Sequence, residues 1–306
     1  MDLIWRDSNL KKKKVIPKAS YACSVGLYGS SKNDFSLTLP IGETLPIGDF
    51  VTYGSTEHGG CILEKIINTK DGTVQYVGKS LRGQLENSVI NPFSTLEISG
   101  TIDEIVESII SKSTLNYIVD YSGIADTKTI TLPKSSNALK AIDLAMNAFG
   151  TKFKITINEN LVHIVIMPIK VFKHDASQIS LIVDENKTLP TALHAYNDKY
   201  TASVYLQEDG TVGTSRYFSG FSAVEITQEI SSNSSAQLFT LASDKLLALR
   251  TSITNSEIQI DLSDEDIGDK IEASVKQYNI KVVQTVIEKT LEIQGNNKEF
   301  SFNTGG

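Results

Sequence analysis

The chain has 306 residues, 40% of them hydrophobic and 21% charged, with a formal net charge of −7. That length can bury a substantial core, and the composition is that of a soluble globular protein. The acidic balance argues against a dedicated nucleic-acid binder, no apolar run approaches the roughly 20 residues of a membrane helix, and two cysteines are too few for a disulfide framework.

In "MDLIWRDSNLKKKK" the charge cluster follows the apolar residues, the wrong order for a secretory signal. Folding in the cytoplasm of the producing cell is therefore expected, without membrane insertion. Lys11 to Lys14, ahead of Val15-Ile16-Pro17, read as a solvated loop between strands. Tyr21, Cys23, Val25 and Leu27 alternate as one strand face, which makes Cys23 a small buried hydrophobe. Phe35-Leu37-Leu39, Phe50 to Tyr53, Cys61 to Ile67 and Thr73 to Val77 are further short runs separated by turn residues. Asp71-Gly72 marks a hairpin, because glycine tolerates positive φ. Strands at this spacing suggest a barrel or sandwich over residues 1–92.

The period changes after Pro92. Thr101 and Glu104 have capping-box spacing, and Ile102, Ile105, Val106, Ile109 and Ile110 follow at helical intervals. Leu139, Ile142, Met146 and Phe149 share one face of a second helix that ends at Gly150. Phe153, Ile155 and Ile157 then alternate into a strand, with an Asn-Glu-Asn turn behind them. Residues 93–175 thus read as an inserted α+β domain. β-structure resumes near Gln178 and fills 176–306, interrupted at about 232–252 by a helix that Ser234 and Gln237 open and that carries Leu238, Leu241, Leu246 and Leu249. The fold class expected is mainly β with α+β insertions: two β-barrel domains, the inserted domain and the short helical insertion.

An internal likeness supports two related barrels. "IGDFV" (Ile47 to Val51) recurs as "IGDKI" (Ile267 to Ile271). Gly48 and Gly268 suit a turn, and Asp49 and Asp269 can bond back to the backbone ahead of an outgoing strand. Each copy is followed by a strand with Glu-Lys (Glu64-Lys65, Glu288-Lys289), a glycine turn, a second strand and a glycine, Gly78 or Gly305.

No GxSxG, HExxH, Walker loop or strand-linked GxGxxG occurs, so neither an enzyme nor a cofactor or metal site is expected. His163 sits in a regular strand, and His174 and His194 lie in connecting segments far from any cysteine. "DLSDEDIGD", Asp261 to Asp269, lacks the glycine that a calcium loop needs at its sixth position. "GSTEHGGC", Gly54 to Cys61, gathers Glu57, His58 and Cys61, yet a cysteine nucleophile usually takes its base from a distant part of the chain. It reads as a hairpin in which Gly59 and Gly60 make the reversal. Thr56, Glu57, His58, Gly59 and Gly60 are then a candidate protein-contact turn, with Glu57 and His58 at the tip and a contact that a histidine could make pH-sensitive.

The stretch from Gly54 to Pro92, "GSTEHGGCILEKIINTKDGTVQYVGKSLRGQLENSVINP", resembles a siphophage tail-protein family that carries a "GTE-aromatic-GG" turn followed by a "TYTGRTWHGIL"-like segment, here "QYVGKSLRGQL". "RYFSGFSAVEITQEI", a short helix, "IQIDLSDEDIGDKI" and two closing strands agree at the far end. His58 stands where that family usually has an aromatic such as Tyr, and Arg82 where it often has His. Such proteins are similar to the baseplate hub proteins of tailed phages and phage-like bacteriocins. The resemblance implies a homotrimer at the virion tail tip, assembled in the bacterial host cytoplasm. Each subunit would offer two tail-tube-like β-barrels, making a pseudo-six-fold ring. Its implied partners are the tail tube protein, the distal tail protein, the tape measure protein, and spike, tip or fibre proteins. DNA would pass transiently without specific binding, and any wall-degrading activity would belong to another chain. The alternative is a receptor- or carbohydrate-binding tail protein.

Overall fold

The computed structural model describes residues 2–305 apart from 18, 43, 176–179, 186–189, 252–253, 260–264, 276–279 and 296. The chain divides into two compact units: Met1–Asp175 together with Ile260–Gly306, and Ala176–Gln259.

In the first unit the N-terminal residues supply β1 (Leu3–Arg6), β2 (Lys12–Ile16), β3 (Ser20–Gly26), β4 (Asp34–Pro40), β5 (Phe50–Tyr53), β6 (Gly59–Asn68) and β7 (Thr73–Ser80). Strict alternation drives them: Tyr21, Cys23, Val25, Phe35, Leu37, Leu39, Val74 and Tyr76 are all buried, with their neighbours more exposed. Lys12 to Lys14 belong to β2, not to a loop. That strand forms one end of the sheet, where lysines discourage pairing with a stranger.

The insertion begins with α1 (Leu81–Gln84), whose first turn is capped by the Ser80 hydroxyl accepting from the Gly83 N–H at 3.0 Å. It continues through β8 (Leu96–Thr101), α2 (Ile102–Ser111), β9 (Tyr117–Asp120), β10 (Thr127–Leu132), α3 (Ala138–Phe149), β11 (Thr151–Asn158), β12 (Leu161–Pro168) and β13 (Val171–Asp175). α2 starts at the Thr101–Glu104 capping box, and α3 stops at Gly150 in the left-handed conformation. The helices pack Ile102, Ile105, Ile109, Leu139 and Ile142 against Phe153, Ile155 and Ile164 of the sheet β11-β12-β9. Leu10, Leu81, Leu85 and Ile90, drawn from the first ninety residues, complete this core. α1 therefore stitches the insertion to the sheet that precedes it.

The second unit contains β14 (Ser180–Glu185), β15 (Ala192–Tyr196), β16 (Thr201–Leu206), β17 (Val212–Gly213), β18 (Glu225–Glu229), α4 (Ser235–Thr251) and β19 (Thr254–Gln259). β17-β16-β15-β18 form one sheet, on which α4 lays Leu238, Ala242 and Leu246 against Leu193, Ala195, Val204 and Leu206. The Ser234 hydroxyl accepts from the Gln237 N–H, but the Gln237 side chain accepts from the Asn233 N–H, one residue before the cap. The helical insertion expected at about 232–252 is thus one layer of a small α/β unit.

β20 (Lys270–Val275), β21 (Ile280–Gln294) and β22 (Asn297–Gly305) close the chain. The closing strands, grouped above with 176–259, instead belong with the first unit: Glu288 to Gln294 of β21 lie antiparallel to β3. The result is one eleven-stranded sheet ordered β13-β20-β21-β3-β4-β7-β6-β5-β1-β2, with β22 on the second edge of β21. In place of two separate closed barrels, the described residues form this open path, because the long β21 bonds to strands of both β-rich regions. Residues as far apart as Leu3, Val51, Tyr76, Ile267 and Leu291 share one core, so the sheet curls around it.

Candidate functional site

Gly54 to His58 connect β5 to β6. The reversal is made by Gly54, at φ 60°, with the His58 carbonyl accepting from the Tyr53 N–H at 2.8 Å. Gly59 and Gly60, expected to make that turn, lie within β6 and serve close packing instead. A Cβ on Gly59 would stand 2.4 Å from the Val51 carbonyl oxygen, and one on Gly60 only 1.9 Å from that of Lys79. The exposed corner is Ser55, whose carbonyl accepts from the Ile157 N–H of β11 at 3.0 Å. Thr56 is half-buried, its hydroxyl donating to the Tyr53 carbonyl at 2.7 Å.

Glu57 and His58, expected at an exposed tip, are 7% and 5% exposed. Arg82, on α1, is wholly buried and accounts for Glu57: its Nε and Nη2 donate to Glu57 Oε2 at 3.1 and 3.0 Å. The same Nη2 donates to the Phe153 carbonyl at 2.9 Å, and the guanidinium lies 4.0 Å from the centroid of the Phe153 ring. A carboxylate buried beside such a partner turns inward, because an unpaired buried charge is costly. The turn thus makes its contacts within its own chain, joining the curled sheet to the α+β insertion.

His58 packs edge-on against Phe300 of β22, ring centroids 5.4 Å apart, and its Nε2 has no hydrogen-bond partner among the described residues. Burial pushes its pKa down to about 3, helped by Lys289 and Arg82 and opposed by Asp266. The imidazole is therefore neutral and serves as an aromatic ring. Burial, and then Asp49, raise the pKa of the half-buried Cys61 thiol, which donates to the Ile62 carbonyl at 3.8 Å. A protonated thiol and a neutral, desolvated imidazole are the reverse of an activated thiolate pair. Burial also drives Cys23 up to about 12.

Beside this cluster lies a cavity of about 200 Å³ lined by Arg82, Asp143, Lys152, Phe153, Ile267 and Gly268, among others. Arg82 Nη1 and Asp143 Oδ1 are buried without hydrogen-bond partners among the described residues. Burial raises the Asp143 carboxyl to about 6, against the pull of Arg82.

The two glycine–aspartate turns have the same geometry. Gly48 and Gly268 sit at φ 91° and 87°. The Gly48 N–H donates to the Ile62 carbonyl and the Ile62 N–H to the Asp49 carbonyl; the Gly268 N–H donates to Val286 and the Val286 N–H to Asp269. A register shift follows in each long strand, between Ile62 and Glu64 and between Val286 and Glu288. Glu64-Lys65 and Glu288-Lys289 are therefore equivalent. Opposite the bulge, Gly78 corresponds to Thr304, so Gly305 is one place out of register with it. The aspartates have different partners: Asp49 Oδ2 accepts from the Trp5 indole at 2.7 Å, whereas Asp269 Oδ2 meets the buried Lys152 ammonium at 2.5 Å. Sequence reasoning missed Lys152 and the role of Arg82. The available signal was weak: Arg82 follows a leucine in "SLRGQL" and Lys152 alternates with Lys154 in "TKFKI", and neither pattern marks a buried cation.

His163 pairs with Asp120 at 2.7 Å, and His174 lies 3.4 Å from Glu265. In the second unit His194 bridges Ser203 and Glu225 at 2.8 and 3.1 Å, a cross-strand network on an exposed sheet face. Among the described residues no group of three or more His, Cys, Asp or Glu side chains could hold a metal ion. Asp261 to Asp264 of the acidic stretch lie outside the described residues.

No protein-family model matches the chain, and no curated protein is similar to it in sequence. Solved structures are similar in fold. Prophage tail protein gp18 from Listeria monocytogenes EGD-e superposes with a TM-score of 0.53 at 12% identity, covering 100% of this chain and 95% of that one. The 43 kDa tail protein of prophage MuSo2 from Shewanella oneidensis gives 0.57 at 10% identity, covering 100% and 98%. The chain thus has, end to end, the fold of prophage tail proteins.

Proposed function

We propose that the chain is a structural baseplate or tail-tip hub of a tailed phage or phage-tail-like particle. The observation that carries this reading is the end-to-end fold correspondence with two prophage tail proteins. The paired turns and bulges support it, since two equivalent β-units in each subunit are what a trimer needs to meet a six-fold tube. In this reading three copies form a pseudo-six-fold ring from two tube-like halves each. The ring joins the tail tube and distal tail ring to tip, spike or fibre proteins, holds the end of the tape measure, and lets DNA pass. A net charge of −7 suits passage without retention of phosphates. The chemistry of Glu57, His58 and Cys61 supports a scaffold rather than a catalyst: the carboxylate is paired with Arg82, the imidazole uncharged and the thiol protonated.

Electron microscopy of particles carrying a tagged copy tests the location. Label at the tail tip in all particles is expected. Label along the tube, on fibres alone or absent from particles overturns the hub assignment.

A further inference from the structure

The cavity beside Arg82 lies between α1, α3, β11 and the Gly268 turn, all within the first unit. Its walls are partly apolar, from Leu27, Met146 and Ile267, while Asn147, Gly150 and Lys270 are exposed and mark its mouth. Two polar groups on its lining have unused hydrogen-bonding capacity. Arg82 directs Nε and Nη2 to Glu57 and the Phe153 carbonyl, which leaves Nη1, a charged donor shut off from bulk water. Asp143 accepts from the Tyr28 N–H through Oδ2 at 2.6 Å, which leaves Oδ1, also buried. Unmet hydrogen-bonding groups of this kind are costly inside a protein. An occupant that answers both would remove the cost.

The charges around the cavity say what kind of occupant fits. Glu57 already offsets Arg82, and Asp269 offsets Lys152. Glu86, which also acts on Asp143, is held by Lys79 at 3.1 Å, and Lys140 of the same helix lies over the Tyr28 ring. Of the charged groups on the lining, that leaves Asp143 and Lys270. When Asp143 carries a proton, the lining has one positive charge in surplus and the carboxyl becomes a second donor beside the guanidinium. Burial favours that protonated form.

We propose that this cavity is a binding site for a small monovalent oxyanion, a carboxylate or a phosphate, which accepts from Arg82 Nη1 and from the protonated Asp143 carboxyl. Hydrogen bonds with an ionised partner are the strong ones, and Arg suits such anions in particular. Anion and proton are then taken up together, so the anion binds as pH falls and leaves as pH rises. A neutral occupant, water included, meets the same hydrogen-bonding groups without that coupling. The site lies within one chain and is independent of the assembly role proposed above.

NMR titration of the whole chain with acetate tests this, read at the amides of Gly150, Thr151 and Lys152, which line the cavity. Chloride holds the ionic strength constant, and acetamide serves as the neutral probe. Acetate is mostly ionised at both pH 5.5 and pH 8, so its own titration does not imitate the effect. Saturable shifts are expected, with an affinity about tenfold or more greater at pH 5.5 than at pH 8. Acetamide should give none. Asp143→Asn keeps a donor at both pH values and should bind acetate at both, with a ratio near one. Dihydrogen phosphate at pH 5.5 compares the two oxyanions, and saturation by either supports the site. No saturable shift with either anion leaves the cavity to water and overturns the site. Equal saturation by acetamide, or a wild-type affinity unchanged between the two pH values, overturns the oxyanion. An Asp143→Asn variant that keeps the wild-type pH dependence overturns the role of Asp143.

Discussion

Arg82 holds Glu57 at 3.0 Å with the guanidinium shut off from water and the carboxylate 9% exposed. Because Arg82 also donates to the Phe153 carbonyl, this one cation ties the turn, α1 and β11 together. Removing one member of a buried pair leaves an uncompensated charge, at a cost of roughly 3–5 kcal/mol. Arg82→Met should therefore lower stability by about that much in denaturant unfolding, and adding Glu57→Gln should recover a large part. A single-variant loss below about 1 kcal/mol would show that the pair is not the joint described here.

His58 gives the acid side of the stability profile its slope. Its pKa falls from 6.5 to about 3 on folding, so between those values the unfolded chain binds a proton that the folded chain refuses. Stability from this group is complete above pH 6.5 and is lost as pH falls towards 3, by up to roughly 1.4 kcal/mol per pH unit. His58→Phe, which keeps the aromatic packing on Phe300, should remove that slope. NMR of the imidazole should show no titration between pH 8 and 5. A midpoint near 6.5 would mean the ring is solvated, and would restore the pH-sensitive surface contact that its burial argues against.

Asp143 acts with the opposite sign. Burial raises its pKa from 3.8 to about 6, so its favourable contribution holds below pH 3.8 and is lost as pH rises through 6. Asp143→Asn, which can still accept from the Tyr28 N–H, should stabilise the chain at pH 7.5. The gain should shrink as pH drops to 4. Denaturant midpoints at the two values check it, and a variant less stable at pH 7.5 would contradict it.

The two equivalent glycines should differ in their tolerance of a side chain. Gly48→Ala meets no atom within 4 Å and bears only the left-handed strain, of order 1–3 kcal/mol. Gly268→Ala bears the same strain and adds a Cβ 2.8 Å from that of Lys152, disturbing the ammonium that holds Asp269. Thermal unfolding should therefore show a larger loss for Gly268→Ala. Equal losses would indicate that the Lys152 side gives way freely.

Both thiols should be inert in the native state. With Cys23 pushed up to about 12 and Cys61 also raised, alkylation by iodoacetamide at pH 7.5 should be slow for each and become fast on unfolding. Rapid native labelling of Cys61 would reopen the possibility of a nucleophile.

Much of this architecture was legible locally. Thr101 and Glu104, Gly150, the alternation of β3 and β4 and the IGD repeat are short-range features, decided by backbone geometry and by which face of a strand is apolar. The orientation of Glu57 and His58 was not. A turn rich in glycine and polar residues reads as an exposed tip, and only the arrival of Arg82, 25 positions later, makes burial of the carboxylate favourable. The histidine follows it inward because a neutral imidazole can pack on Phe300 as another aromatic would.

The sequence by itself thus determined the alternation of strands such as β3 and β4, the change from strand to helix after Pro92 and the presence of two equivalent turns. Tertiary structure alone decided how the β-rich regions combine. Strand pairing depends on which backbone edges are left open, and no residue pattern records that. β21 reaches β3 across more than 250 positions and covers one edge, while the equivalent edge of β6 remains unpaired among the described residues.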